Sequence, residues 1–134
     1  MLPPRRVLLA DDDHEVRLGV AELLDPLGLE VLHAESGPEA LEIAMARRPE
    51  LQLMVLDVHM PGCTGIEVLA QLVQAVGRER LMPCIFYSGA ATANLEQQAL
   101  DLGGLAFLRK PVQPTELRTE VLRALALNDA SGHA

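Results

Sequence analysis

The chain has 134 residues, 49% of them hydrophobic and only 2% aromatic, so it can build one domain around Leu, Val, Ile, Ala and Met but not a second folded unit. Its 19 acidic residues against 11 Lys and Arg leave a formal charge of -8, which argues against binding nucleic acid by phosphate neutralisation. The apolar stretch near the amino terminus, Val7 to Ala10, is too short for a signal-peptide core, and no apolar run approaches membrane-spanning length.

In chain order, the first predicted element is a strand, Arg6 to Ala10, closed by the acidic run Asp11, Asp12, Asp13. Val16, Val20, Leu23, Leu24 and Leu27 recur at helical spacing and predict a first helix, with Pro26 near its end and Gly28 closing it. Asp12 with Glu15 fits a capping box at its start, and an acidic run standing alone is more often a solvated helix start than a metal site. A second strand, Glu30 to His33, precedes a helix that begins near Gly37, where Ser36 and Glu39 have capping-box spacing.

The third strand, Leu51 to Leu56, ends at Asp57, and Pro61-Gly62 behind it signals a turn. Thr64 with Glu67 marks the start of a third helix near Gly65, with Ile66, Leu69, Ala70, Val73 and Val76 on its apolar face. The fourth strand, Cys84 to Tyr87, runs into Ser88, and both of its aromatics, Phe86 and Tyr87, read as core. A fourth helix covers Ala93 to Leu102 and is ended by Gly103-Gly104.

The fifth strand, Ala106 to Leu108, leads to Lys110, the only lysine in the chain, and then Pro111. A fifth helix starts at Pro114, with Leu117, Val121, Ala124 and Leu125 on its apolar face. A short polar tail is expected over residues 128–134, with no output domain in these residues. Cys63 and Cys84 have neither metal nor redox spacing and read as free thiols in a reducing compartment, and His14, His33 and His133 show no ligand spacing.

Strands alternating with helices predict an α/β fold, a doubly wound parallel sheet of five strands flanked by five helices. Such sheets bind ligands in the crevice outside the carboxyl ends of their strands, which is where Asp11 to Asp13, Asp57 and Lys110 fall. Acids with one base in that crevice suggest a metal-assisted phosphoryl site.

From about Arg5 to Leu127 the chain resembles the response-regulator receiver domains of two-component signalling. The segments that carry the resemblance are VLLADDD, LDVHMPGCTGIEVL around Asp57, the SG of FYSGA, and LRKP, in that order along the chain. The resemblance implies a flavodoxin-like sheet of order 2-1-3-4-5 over residues 5–127. It also implies a phosphoacceptor signalling role rather than that of an enzyme; the expected location, from the short first apolar stretch and the free thiols, is the cytoplasm.

By the same resemblance Asp57 is the phosphoacceptor, since a carboxylate attacking phosphorus forms an aspartyl-phosphate that hydrolysis can remove. Asp11, Asp12, Asp57 and the backbone carbonyl of His59 would hold Mg²⁺, a hard ion that takes oxygen ligands. Lys110 would hold a phosphoryl oxygen, Ser88 would donate its hydroxyl to another, and Phe107 stands where the family carries a switch aromatic. The implied partners are a sensor histidine kinase or a histidine phosphotransfer protein, and an unnamed output partner on the face of the fourth helix, fifth strand and fifth helix. A homodimer is also compatible with the family.

Three rivals compete with this reading. An aspartyl-phosphate phosphatase of the haloacid dehalogenase type needs a second acid two residues after the nucleophile, where this chain has His59. A receiver-like interaction module without phosphorylation would not need all of the reactive side chains, and a flavodoxin-like cofactor binder would need a hydroxyl- and glycine-rich turn after the first strand, where this chain is acidic.

Overall fold

The computed structural model describes residues 4–130. Five strands alternate with five helices: β1 (Arg5–Ala10), α1 (His14–Leu24), β2 (Leu29–Ala34), α2 (Gly37–Arg47), β3 (Leu51–Asp57), α3 (Gly65–Val76), β4 (Cys84–Ser88), α4 (Ala93–Asp101), β5 (Ala106–Arg109) and α5 (Pro114–Ala130). The sheet is parallel throughout, in the order β2-β1-β3-β4-β5. β3, β4 and β5 each run one residue beyond the apolar stretch that predicts them, because backbone pairing continues past the last hydrophobic side chain into Asp57, Ser88 and Arg109, while β1 starts one residue earlier, at Arg5, and β2 gains Leu29 and Ala34.

The pleat divides the apolar residues between two cores. Leu8, Ala10, Met54, Leu56 and Phe86 face α2 and α3, whereas Val7, Leu9, Leu53, Val55, Ile85, Tyr87 and Leu108 face α1 and α5. Both faces of the central strands are covered, which is why β1, β3 and β4 read as continuous apolar runs rather than alternating ones. Fully buried Ala10, Ala34, Ala40 and Ala44 line the contact with α2, so that helix lies close on the sheet.

The helix starts follow the capping chemistry with two corrections. The N-cap of α1 is Asp13 rather than Asp12: the Asp13 carboxylate accepts from the Val16 N–H at 3.1 Å. Asp12 is thereby released from the capping role. At α2 the Ser36 hydroxyl accepts from the Glu39 N–H at 3.2 Å, but the Glu39 carboxylate reaches back to the N–H of Glu35 instead of Ser36. The Thr64–Glu67 box of α3 is complete in both directions.

A third correction concerns the carboxyl end. Residues 128–130 belong to α5 and not to a tail, because Asn128 donates to the Gln52 side chain at 2.7 Å and Asp129 pairs with Arg5 at 3.0 Å. Residues 131–134 of the expected tail, His133 among them, lie outside the described residues. Among the described residues no helix is long and apolar enough to cross a membrane, and both cysteines are free.

Two glycines should respond oppositely to alanine. Gly65, the first residue of α3, lies so near the Asp57 carbonyl oxygen that a Cβ would collide with it, and its N–H also donates to Val58 at 2.9 Å. Gly19 lies on the exposed side of α1 with open space where a Cβ would go. Urea denaturation should therefore show Gly65→Ala destabilising by about 1 to 3 kcal/mol, the range for overpacking. Gly19→Ala should stabilise by about 0.5 to 1 kcal/mol from helix propensity. The same sign for both would contradict the close approach of α3 to Asp57.

Candidate functional site

Strand register delivers the polar residues to one place. Ala10 of β1 lies opposite Leu56 of β3, so Asp11 and Asp57 emerge side by side at the carboxyl ends of adjacent strands. Asp57 in turn lies opposite Tyr87 of β4, and Ser88 opposite Arg109 of β5. Lys110 follows directly, its N–H held by the Ser88 carbonyl at 3.0 Å.

Carboxylate oxygens of Asp11, Asp12 and Asp57 lie within 4.8 Å of one another. Asp11 and Asp57 are buried at 0% and 3% exposure, whereas Asp12 is open to solvent. The Lys110 ammonium stands 3.4 Å from Asp11 Oδ2 and 3.4 Å from Asp57 Oδ1. One positive charge thus serves two buried negative ones. Burial, reinforced by the Asp11 charge and only partly offset by Lys110, pushes the Asp57 carboxyl up to about 6.

This donor set fits a hard divalent cation. Carboxylate oxygens are the ligands that Mg²⁺ prefers, and a cation would relieve the excess of negative charge that Lys110 leaves. His59 is exposed in the loop after β3, two residues past Asp57, and only its carbonyl is asked to contribute.

Ser88 is buried, and its hydroxyl oxygen accepts from the Ala90 N–H at 3.2 Å, which leaves its own hydrogen for another acceptor. Phe107 is half-buried opposite Phe86 and packs against the core on the α2 and α3 side. Asp11, Asp12, Asp57, Ser88 and Lys110 therefore meet at one end of the sheet, while Phe107 lies one layer behind. A groove lined by Val73, Arg78, Met82, Leu102 and Leu127 opens at the other end of β4 and β5, away from the carboxylates.

Two residues at this end carry more than sequence reading assigns to them. Tyr87 is core, as expected, yet its hydroxyl donates to Asp11 Oδ2 at 2.7 Å. A buried tyrosine must find an acceptor for its O–H, and this requirement is the signal that could have pointed to it. Arg17, buried within α1, donates to the Asp11 carbonyl at 2.6 Å, to His33 Nδ1 at 3.1 Å and to Glu35 at 3.3 Å, with His14 Nδ1 at 3.0 Å. Desolvation of the His33 ring, with the Arg17 charge beside it, lowers the pKa of His33, in keeping with a neutral ring that accepts this bond. Nothing in the helical period of α1 singles Arg17 out, because the spacing shows only that it lies toward the sheet.

Comparison with known proteins bears on what such a site does. Residues 7–122 match the family model of the response regulator receiver domain. The chain is 33% identical over 115 residues to the transcriptional regulatory protein PdtaR of Mycobacterium tuberculosis, a match covering 85% of this chain and 53% of that protein. It spans about half the length of that relative. To sporulation initiation phosphotransferase F of Bacillus subtilis it is 30% identical over 122 residues, 91% of this chain and 94% of the relative. Among solved structures, a response regulator receiver domain protein from Clostridium thermocellum superposes with a TM-score of 0.85 at 25% identity, covering 94% of this chain and 98% of that one.

The raised Asp57 carboxyl has a consequence for stability without metal. A carboxyl that holds its proton more tightly in the folded chain contributes stability below its ordinary range near pH 4, and that contribution is lost as pH rises through about 6. In chelator, Asp57→Asn should be more stable than the parent at pH 8 by on the order of 1 to 3 kcal/mol, and the difference should fade toward pH 4. Urea denaturation at the two pH values measures it. Equal stabilities at pH 8 would show that Asp57 bears no such charge repulsion.

Proposed function

The chain belongs to the response regulator receiver domain family, and from that premise we propose that Asp57 accepts a phosphoryl group in a Mg²⁺-dependent reaction and that the mark alters a partner-binding surface. The observation that carries this reading is the cluster of three aspartates whose oxygens lie within 4.8 Å, with Lys110 Nζ 3.4 Å from both buried members. An acceptor carboxylate, oxygen ligands for a hard cation and an ammonium within reach of both are the groups that phosphoryl transfer by positioning and neutralisation requires.

The donor is the phosphohistidine of a sensor histidine kinase or of a histidine phosphotransfer protein, the partners with which receiver domains interact. An Asp57 oxygen bonds to phosphorus while the P–N bond breaks, and the imidazole leaves with the electron pair and takes up a proton. Lys110 turns from the carboxylates to a phosphoryl oxygen, and Ser88 directs its free hydroxyl hydrogen to another. Asp11, Asp12, Asp57 and the His59 carbonyl would hold Mg²⁺, which supplies neutralisation of the gathered negative charge. Hydrolysis of the aspartyl-phosphate resets the site, so the chain acts as a reversible acceptor rather than as an enzyme on an outside substrate.

The unit that carries this role is the receiver domain over residues 5–127, continued by the last turn of α5. Its free thiols suit a cytoplasmic setting. The surface that responds is the face of α4, β5 and α5, where Glu96 and Arg109 pair at 3.6 Å and Leu100 and Leu122 are exposed. Movement of Ser88 toward the phosphoryl group frees space toward half-buried Phe107, which lies on the neighbouring strand β5, itself part of that face. The output partner, or a second copy of the domain, would dock there.

Acetyl phosphate with Mg²⁺ should label Asp57 alone, and Asp57→Asn should fold and lose the label in a mass-spectrometric assay. Full labelling of that variant would place the acceptor elsewhere. An unphosphorylated interaction module would take no label in the parent either, and a phosphatase would turn over small phosphate esters.

Ser88→Ala should still take the label, since Asp57, the metal acids and Lys110 remain, but should transmit it poorly. Amide NMR with and without beryllofluoride reads the response across residues 93–105. Shift changes as large in Ser88→Ala as in the parent would mean that the signal travels by another route.

A further inference from the structure

We propose that Tyr87 is a positioning residue, whose hydroxyl fixes the Asp11 carboxylate in the orientation in which it meets a small divalent cation. The inference rests on the reading of Asp11 as a metal ligand and extends it to a residue on a strand that bears none of the acids.

The register explains how Tyr87 comes to do this. Asp11, Asp57 and Tyr87 stand in one row across β1, β3 and β4, with their side chains on the same face of the sheet. Neighbouring strands are about 4.8 Å apart, so β4 lies roughly 10 Å from β1 and only a long side chain can reach over β3. Tyr87 does so, 1% exposed, and its O–H meets Asp11 Oδ2 at 2.7 Å. A leucine or phenylalanine would fill the same apolar space but leave that oxygen without the donor.

Asp11 is then held at every polar atom. Its Oδ1 accepts from the Asp13 N–H at 2.9 Å, its Oδ2 from Tyr87 with Lys110 3.4 Å away, and its carbonyl from Arg17 at 2.6 Å. Of these donors to the carboxylate, Lys110 is the one that leaves when a phosphoryl group arrives. The Lys110 ammonium also lies 5.1 Å from the centroid of the Tyr87 ring, so the same side chain touches the mobile base and the fixed acid. Each Asp11 oxygen keeps lone-pair capacity for a cation.

A carboxylate already immobilised by a core residue loses little freedom on binding a cation. Mg²⁺ demands near-ideal octahedral geometry, whereas Ca²⁺ accepts looser and more varied arrangements. Rigid placement of Asp11 therefore favours the smaller ion, and loosening it should cost Mg²⁺ more than Ca²⁺.

Tyr87 is the only tyrosine and the chain has no tryptophan, so its tyrosine fluorescence reports this ring alone. Calorimetric titration of the parent and of Tyr87→Phe with Mg²⁺ and with Ca²⁺, alongside amide NMR of both and Mg²⁺ titration of the parent's fluorescence, tests the proposal. The expected result is a Mg²⁺-dependent change in parent fluorescence and a loss of Mg²⁺ affinity in Tyr87→Phe of about threefold or more, the effect of one hydrogen bond. The Mg²⁺ to Ca²⁺ preference should fall, with amide shifts confined to the neighbourhood of Asp11, Asp57 and residue 87. A smaller loss, an unchanged preference, or shifts spread through both cores overturns the positioning role. A parent that binds no Mg²⁺ removes the metal reading itself, whereas a parent that binds it as tightly as Tyr87→Phe does removes only the role of the hydroxyl.

Discussion

Two carboxylates, Asp11 and Asp57, sit out of water at the ends of adjacent strands and share the ammonium of Lys110, 3.4 Å from each. Like charges about 4 Å apart repel by roughly 4 kcal/mol at an effective dielectric near 20, and a single cation cannot cancel two anions at equal distance. Burial first of all, and then the Asp11 charge that Lys110 only partly offsets, drives the Asp57 carboxyl upward. Together with Asp12, the two carboxylates form a donor set that fits a divalent cation. The surrounding donors, Tyr87 and Arg17, stabilise an acid that the core would otherwise exclude.

The fold creates this tension by its own logic. Parallel strands buried on both faces must be apolar along their length, and their first polar residues appear where they leave the sheet. In β1 and β3 the register brings those exits together, and in β4 and β5 it adds Ser88 and Lys110. Close packing then limits how far the site can relax. The start of α3 lies against the Asp57 carbonyl at Gly65, and the α2 amino terminus lies against the following loop, where the Gly37 N–H donates to Pro61 at 3.2 Å. These contacts hold the backbone around Asp57 close to α2 and α3, whereas the Ser88 hydroxyl, which accepts from the Ala90 N–H, can still rotate its own hydrogen.

Surface ion pairs play a smaller part. Arg6 with Glu30 and Glu50, Arg47 with Glu50, and Arg123 with Glu120 each have at least one solvent-exposed partner and contribute little. Arg17 is different because it is buried and reaches the Asp11 backbone, so it joins α1 to the site directly. Its ties to His14, His33 and Glu35 extend the same network to the end of β2.

Strand and helix identity was legible in the chain because apolar runs and helical periods are local properties, and all five strands, all five helices and the Thr64–Glu67 cap lie where those patterns put them. Four short segments in order also revealed the family, hence the strand order and the grouping of Asp11, Asp12, Asp57, Ser88 and Lys110 at one end. What the patterns could not reveal depends on the direction of single bonds or on atoms far apart in sequence. Whether Asp12 or Asp13 caps α1 turns on which carboxylate meets the Val16 N–H, a local choice; whether α5 stops at residue 127 turns on Gln52, 76 residues before Asn128. The bond from Tyr87 to Asp11 also spans 76 residues and crosses an intervening strand. Sequence by itself determined which residues are apolar, which are charged and where the chain turns. Only the tertiary structure decided which buried polar atom meets which, because that follows from sheet register and side-chain reach.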